Sequence, residues 1–134
     1  MTLAQFGQYN FQRCLKRKEF FSARYAETKF YADAISMVFL LNKRYTPFFK
    51  WMHRALIDLP IMGKWLHEKI QQMIETGDYE EKTDLIEQVA GGIVSQLRIQ
   101  NLSESDSPFL LDHGPQVQQK IKDDDLRNRN VWVG

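Results

Sequence analysis

Apolar residues along the chain recur at three- and four-residue steps, and no segment alternates apolar and polar positions for long. That is the period of an α-helix and not of a strand, so the chain reads as all-α. The first predicted helix runs from Gln5 to about Glu19, with Phe6, Tyr9 or Asn10, and Arg13 or Cys14 on one face. Arg13, Lys16, Arg17 and Lys18 gather toward its C-terminal end, where the helix dipole favours cations. Ser22 is the expected N-cap of a second helix through Arg44, a span of about 34 Å. Lys29, Asp33, Ser36 and Lys43 make only a narrow polar stripe on it, while Tyr25, Ala26, Phe30, Ala34, Met37, Val38 and Leu41 fill the rest. A helix apolar around most of its circumference belongs in the middle of a bundle.

Thr46-Pro47 is the expected start of a third helix, since threonine caps free N–H groups and proline fits the first helical position. Pro60 marks its end, with Phe48, Met52, Ala55, Leu56 and Leu59 facing inward and Lys50, His53, Arg54 and Asp58 on the other side. A fourth helix, Met62 to Thr76, buries Trp65 or Leu66, Ile70, Met73 and Ile74, and Gly77 supplies a left-handed stop. Asp78 opens a fifth, to about Gln100, whose inner face is Leu85, Ile86, Val89, Ala90, Ile93, Val94 and Leu97 and whose Glu80, Glu81 and Glu87 lie in solvent. Gly91-Gly92 in its interior costs roughly 1 kcal/mol per glycine against alanine, which close approach of another helix would offset. The stretch Asn101 to Asp112 is a polar loop, docked through Phe109-Leu110-Leu111, and Pro115 starts a short last helix. The prediction is an antiparallel bundle of five long helices plus one short C-terminal helix, a single domain over 1–122 with a tail at 123–134.

Composition supports a packed core: 43% of the 134 residues are apolar and 26% charged, enough to bury roughly two-thirds of the unfolded surface. One cysteine, Cys14, excludes an intrachain disulfide framework and fits a reducing compartment. The longest apolar run, Met37 to Leu41, falls far short of the ~18–20 residues that cross a bilayer. With no secretory pattern at the N-terminus, the expected location is the cytosol. The net charge of +1 hides a split, since residues 1–70 carry 12 Lys+Arg against 5 Asp+Glu and residues 71–134 carry 6 against 12. Such a split means either a basic face for an anionic ligand or two halves that pack with complementary charge. A pI of 7.8 gives little support to general nucleic-acid binding.

Most catalytic patterns are missing. Cys14 has Arg13 and Lys16 nearby but no histidine close in sequence, so a structural thiol is favoured over a nucleophile. His53, His67 and His113 form no metal-binding spacing, and the seven glycines form no phosphate loop. Asp78-Tyr79-Glu80 and Asp123-Asp124-Asp125 have the spacing of magnesium-binding carboxylates, but they read as a helix start and a tail. One constellation stands out: Asn42-Lys43-Arg44-Tyr45-Thr46-Pro47-Phe48-Phe49-Lys50-Trp51, followed by Arg54. Four cations flank a predicted helix N-terminus there, as a phosphate or carboxylate requires. The competing reading makes Tyr45, Phe48 and Trp51 core aromatics and the cations a solvated face.

Read with Tyr9-Asn10, Arg13-Cys14 and Arg17 upstream and with Arg54-Ala55-Leu56 and Leu59-Pro60 downstream, that segment resembles the C-terminal helical region of a bacterial nucleotidyltransferase-like family, DUF4037. The pattern is Tyr-Asn, Arg-Cys, Arg, then Asn-x-x-Tyr-x-Pro-x-x-Lys-Trp, over about residues 9–60. In that family a nucleotidyltransferase domain with Gly-Ser and paired aspartates precedes the helices; this chain has no such half, so activity does not carry over. What the resemblance implies is a non-catalytic substrate- or nucleotide-binding domain, with magnesium entering only through a separate catalytic domain or chain. The implied ligand-binding residues are Arg13, Arg17, Asn42, Tyr45, Lys50 and Arg54. A structural bundle that self-associates through exposed aromatics, without a ligand, is the alternative. No Arg–His pair has the spacing of the related RNA-cutting helical class.

Overall fold

The computed structural model describes residues 5–100, which are mostly helical with no strand among them. A π-helical stretch Gln5–Phe11 runs into α1 (Gln12–Lys16), followed by α2 (Phe20–Leu41), α3 (Phe49–Ala55) with a 3-10 turn Leu56–Asp58, α4 (Gly63–Glu75) and α5 (Tyr79–Ile99). Helix lengths differ from the expected five long rods. Only α2 and α5, at 22 and 21 residues, are long, and α3 has 7. The anticipated C-terminal helix from Pro115, the docking of Phe109-Leu110-Leu111 and the tail at 123–134 lie outside the described residues.

α1 and α2 end earlier than the sequence pattern suggests, at Lys16 and Leu41 rather than at Glu19 and Arg44. Both ends close the same way. Glu19 N–H donates to Cys14 C=O and Lys18 N–H to Leu15 C=O; Arg44 N–H donates to Phe39 C=O and Lys43 N–H to Leu40 C=O. This is the Schellman pairing, which needs a left-handed residue just past the helix, and here lysine fills the place usually held by glycine: Lys18 and Lys43 both have φ 58°. With no glycine to announce the stop, sequence periodicity overruns it.

Other expected caps shift for local reasons. α2 starts at Phe20 with Glu19 in the cap position, so Ser22 lies inside the helix. Thr46-Pro47 does not open α3, which begins at Phe49, two residues after Pro47, with Phe48 before it as an extended cap residue at φ −56°, ψ 146°. The chain is pinned just upstream, because the Asn42 amide donates to Val38 C=O and Ile61 C=O and accepts from Ile61 N–H. From that clip, residues 43–48 carry the chain across to α3. Gly77 is not left-handed: α4 leaves through an extended Thr76 at φ −81°, ψ 141°, whose hydroxyl accepts from Asp78 N–H and donates to Glu81. Asp78 is the expected N-cap of α5, its carboxylate accepting from Glu80 N–H at 2.9 Å.

The core forms where α2, α4 and α5 present apolar stripes. All seven predicted inner residues of α5, Leu85 through Leu97, are buried, against Ala26, Phe30, Ala34, Val38 and Leu41 of α2 and Leu66, Ile70 and Met73 of α4. Ile74, expected in the core, is exposed. Gly92 answers the expectation for the glycine pair, since a Cβ there would meet Trp65 at 2.7 Å; beside Gly91 nothing lies within 4 Å. Gly63 is tighter still. A Cβ on it would come within 2.0 Å of the Leu56 carbonyl oxygen, so only glycine lets α4 start against the 3-10 turn.

Within this apolar packing lies a buried ion pair. Lys82 of α5 meets Glu27 of α2 at 2.8 Å, both side chains 4% exposed, and Tyr31 donates to the other Glu27 oxygen at 2.6 Å. Burial, first, and then the hydrogen bond to Glu27 push the Tyr31 hydroxyl pKa far up, so it stays protonated as a donor. Gln8, itself buried, adds a second tie to α5 by donating to Glu87 at 3.0 Å.

Two stability outcomes are expected. Lys82→Met leaves the Glu27 carboxylate buried without its cation and lowers unfolding free energy by about 3–5 kcal/mol, whereas Glu27→Leu/Lys82→Met loses less than the single substitution; urea unfolding measures both. Lys18→Gly and Lys43→Gly each relieve a left-handed side chain and raise stability by about 1 kcal/mol, read from the same titration.

Candidate binding site

The residues singled out in the sequence fall into two groups, one at each end of α2. Arg13 and Arg17 belong to the hairpin that joins α1 to the start of α2, and Asn42, Tyr45, Lys50 and Arg54 follow its C-terminal end. With 22 helical residues between them, the ends of α2 stand about 33 Å apart. Arg17 and Asn42 therefore do not share one cleft.

At the hairpin end, Asn10, Cys14, Phe21, Ser22, Tyr25 and Ala26 line a cavity of about 370 Å³. Asn10 and Cys14 are four residues apart, so they share a face, and Arg17, three further on, extends that stripe toward the turn. Across the gap, Phe21 and Tyr25 form an aromatic wall by the same spacing; the Phe21 ring is 85% exposed. Arg17, Lys18 and Glu19 make the turn itself, all exposed. The Arg13 guanidinium lies 5.0 Å over the Tyr9 ring and donates to its hydroxyl, a cation–π contact that orients Arg13 along the helix. Cys14 is a free, half-buried thiol. Chemically, the cavity combines two aromatic faces, an amide, a hydroxyl and a thiol, with the exposed arginines of the hairpin outside its lining. This cavity has no single signal in the sequence, where Tyr25 reads as an interior residue of α2 and Phe21 precedes the expected cap.

At the other end, the Asn42 amide is engaged with backbone on both sides, which gives it a structural role in holding Ile61 to the end of α2. Tyr45 is 97% exposed, and Phe48, Phe49 and Trp51 are exposed as well. The expectation that Phe48 faces the core, and the competing reading of Tyr45, Phe48 and Trp51 as core aromatics, are thereby corrected: the core under α3 is closed by Leu56 and Leu59, leaving the aromatics outside. Phe48 and Phe49 pack on one another at 4.7 Å. Lys50 and Arg54 are exposed beside them. α3 is too short for a helix N-terminal anion site, so any attraction for anions there comes from side-chain charge. A larger cleft of about 800 Å³ lies between the C-terminal ends of α2 and α5, bounded by Leu40, Asn42, Ile61 and Ile99.

His53 and His67, which have no metal-binding spacing, meet in space as stacked rings 4.0 Å apart and 6° from parallel. Since a carbonyl only accepts, His53 Nε2 donates to His67 C=O at 3.2 Å. Among the described residues no three His, Cys, Asp or Glu side chains gather as a metal site. No helix among them is long and apolar enough to cross a membrane.

The family model of a domain of unknown function, DUF4037, matches residues 1–52. That span contains α1, α2 and the start of α3, and with them the motif residues Tyr9-Asn10, Arg13-Cys14, Arg17, Asn42, Tyr45, Pro47 and Lys50-Trp51. No curated protein and no solved structure matches the chain.

The histidine stack predicts a pH dependence. Loss of hydration and the neighbouring His53 hold the His67 pKa below the ordinary 6.5, outweighing Glu68, which pulls it up. The unfolded chain then takes up that proton more readily than the folded one, so the stability contributed by neutral His67 is full above pH 6.5 and is lost as pH falls below it. Thermal melts between neutral and mildly acidic pH are expected to show this fall, and His67→Gln to flatten it.

Proposed function

We propose that the chain is a non-catalytic, ligand-binding helical domain that works beside a nucleotidyltransferase domain in the cytosol, and that its ligand is a nucleotide or nucleotide-like substrate held at the α1–α2 hairpin. The carrying observation is the cavity of about 370 Å³, which lies wholly within the residues matched by the DUF4037 model. Its size is in the range of small-molecule sites. Phe21 and Tyr25 offer faces for a base, Asn10 and Ser22 offer hydrogen-bonding groups for its edge, and Arg17 with Arg13 supplies charge for phosphate. The link to a nucleotidyltransferase rests on the family resemblance, and magnesium chemistry belongs to that partner domain. The antiparallel bundle suggested by short connections is the arrangement in which such a domain forms one wall of a cleft.

Titration with ATP, GTP, CTP and UTP, followed by NMR, is expected to perturb Asn10, Cys14 and Tyr25 at micromolar to millimolar ligand. Phe21→Ala removes a stacking face and weakens binding by about tenfold. Absence of any perturbation in the isolated chain, together with unperturbed hairpin residues when a nucleotidyltransferase partner and nucleotide are both present, would refute the proposal.

A further inference from the structure

Among the described residues, part of the charge that is split along the sequence stands on exposed faces. The ion pair Glu27–Lys82 runs in the opposite sense to that split, an acid of the first half meeting a cation of the second. Lys29–Asp33 lies within the basic half. Besides the basic hairpin, two exposed faces carry charge of opposite sign. On α3, Lys50 and Arg54 are four residues apart, with the exposed rings of Phe49 and Trp51 on either side of them. On the first turns of α5, Glu80 and Asp84 are also exposed and four residues apart, and they rim a pocket of about 270 Å³ whose remaining walls are Leu15, Tyr79 and Thr83.

We propose that these two faces bind one another between copies of this chain, α3 of one copy lying along the N-terminal half of α5 of the next. Both charge pairs repeat at one helical turn, about 6 Å along the axis, so two helices side by side bring both carboxylates opposite both cations. The apolar floor of Leu15 and Tyr79 receives an aromatic ring from α3, which supplies the burial that surface ion pairs alone do not. Because the two faces differ, the contact is head-to-tail, and a pair of copies keeps one face of each kind open to further copies. This contact uses none of the residues that line the hairpin cavity, so it stands or falls separately from ligand binding.

The test is sedimentation velocity on the whole chain from micromolar to millimolar concentration, at low and high salt. Wild type is expected to self-associate with concentration and to dissociate with salt. Lys50→Glu/Arg54→Glu and Glu80→Lys/Asp84→Lys, each alone, are expected to raise the dissociation constant by about tenfold or more. An equimolar mixture of the two associates again, because the intact α5 face of the first variant meets the intact α3 face of the second and the two reversed faces are complementary to each other. Carrying all four reversals in one chain restores self-association. Glu80→Gln/Asp84→Asn serves in place of the reversal if lysine near the start of α5 disturbs the helix, as circular dichroism will show. A wild type that stays monomeric throughout, a mixture that does not pair, or association indifferent to these charges overturns the proposal. So does a monomer that floats with phosphatidylserine vesicles, which would assign the α3 face to a lipid surface.

Discussion

The rest of the described fold hangs on the contact between Glu27 and Lys82. Two charges 4% exposed are costly to desolvate, and they remain there only with good geometry and with their other hydrogen-bonding positions met. Tyr31 meets one of those positions on Glu27, and its own burial keeps it a donor. The pair joins the two long helices across 55 residues of sequence. Hydrophobic stripes alone tolerate sliding and rotation of one helix on another, whereas an ion pair in a dry interior accepts one register. With α2 and α5 fixed, Gly92 meets the tip of Trp65, and Gln8 reaches Glu87.

How far the sequence reveals this follows from the range over which each signal acts. The α5 stripe from Leu85 to Leu97 is legible because burial on a long helix repeats with the helix period, and Asp78 is legible because its cap bond spans two residues. The ends of α1 and α2 are not, since Lys18 and Lys43 take a left-handed conformation on the strength of Schellman hydrogen bonds and not of intrinsic preference. Thr46-Pro47 carries a local start signal that the clip between Asn42 and Ile61, 19 residues apart, overrides. The same limit governs the candidate site. The family resemblance groups Arg13, Arg17, Lys50 and Arg54, but only the length of α2 shows that they stand at different ends of it.

That separation changes what the basic half of the chain can do. Had its cations converged, a single strong anion site would be the simplest reading of 12 Lys+Arg against 5 Asp+Glu in residues 1–70. Divided by a helix about 33 Å long, they form two local fields, each screened from the other at physiological salt, where the Debye length is about 8 Å. The hairpin field stands beside an open cavity of small-molecule size. The α3 field stands among exposed rings, and exposed aromatic surface gains by covering area against a partner.

The two fields also differ in what holds them in place. Around the hairpin, α1 and the π-helical stretch before it pack directly on α2, with Gly7 so close to Phe30 that a Cβ would come within 2.3 Å of the ring. The helices that carry the cavity are thereby fixed to the core, though its lining, apart from Ala26, reaches solvent. α3 rests mainly on the 3-10 turn Leu56–Asp58 and on the stacked His53 and His67 rings. Protonating His67 there opposes the loss of hydration and the neighbouring His53 that hold its pKa down, so acid acts first on the contact beneath α3 and not on the Gly7–Phe30 contact beneath the hairpin.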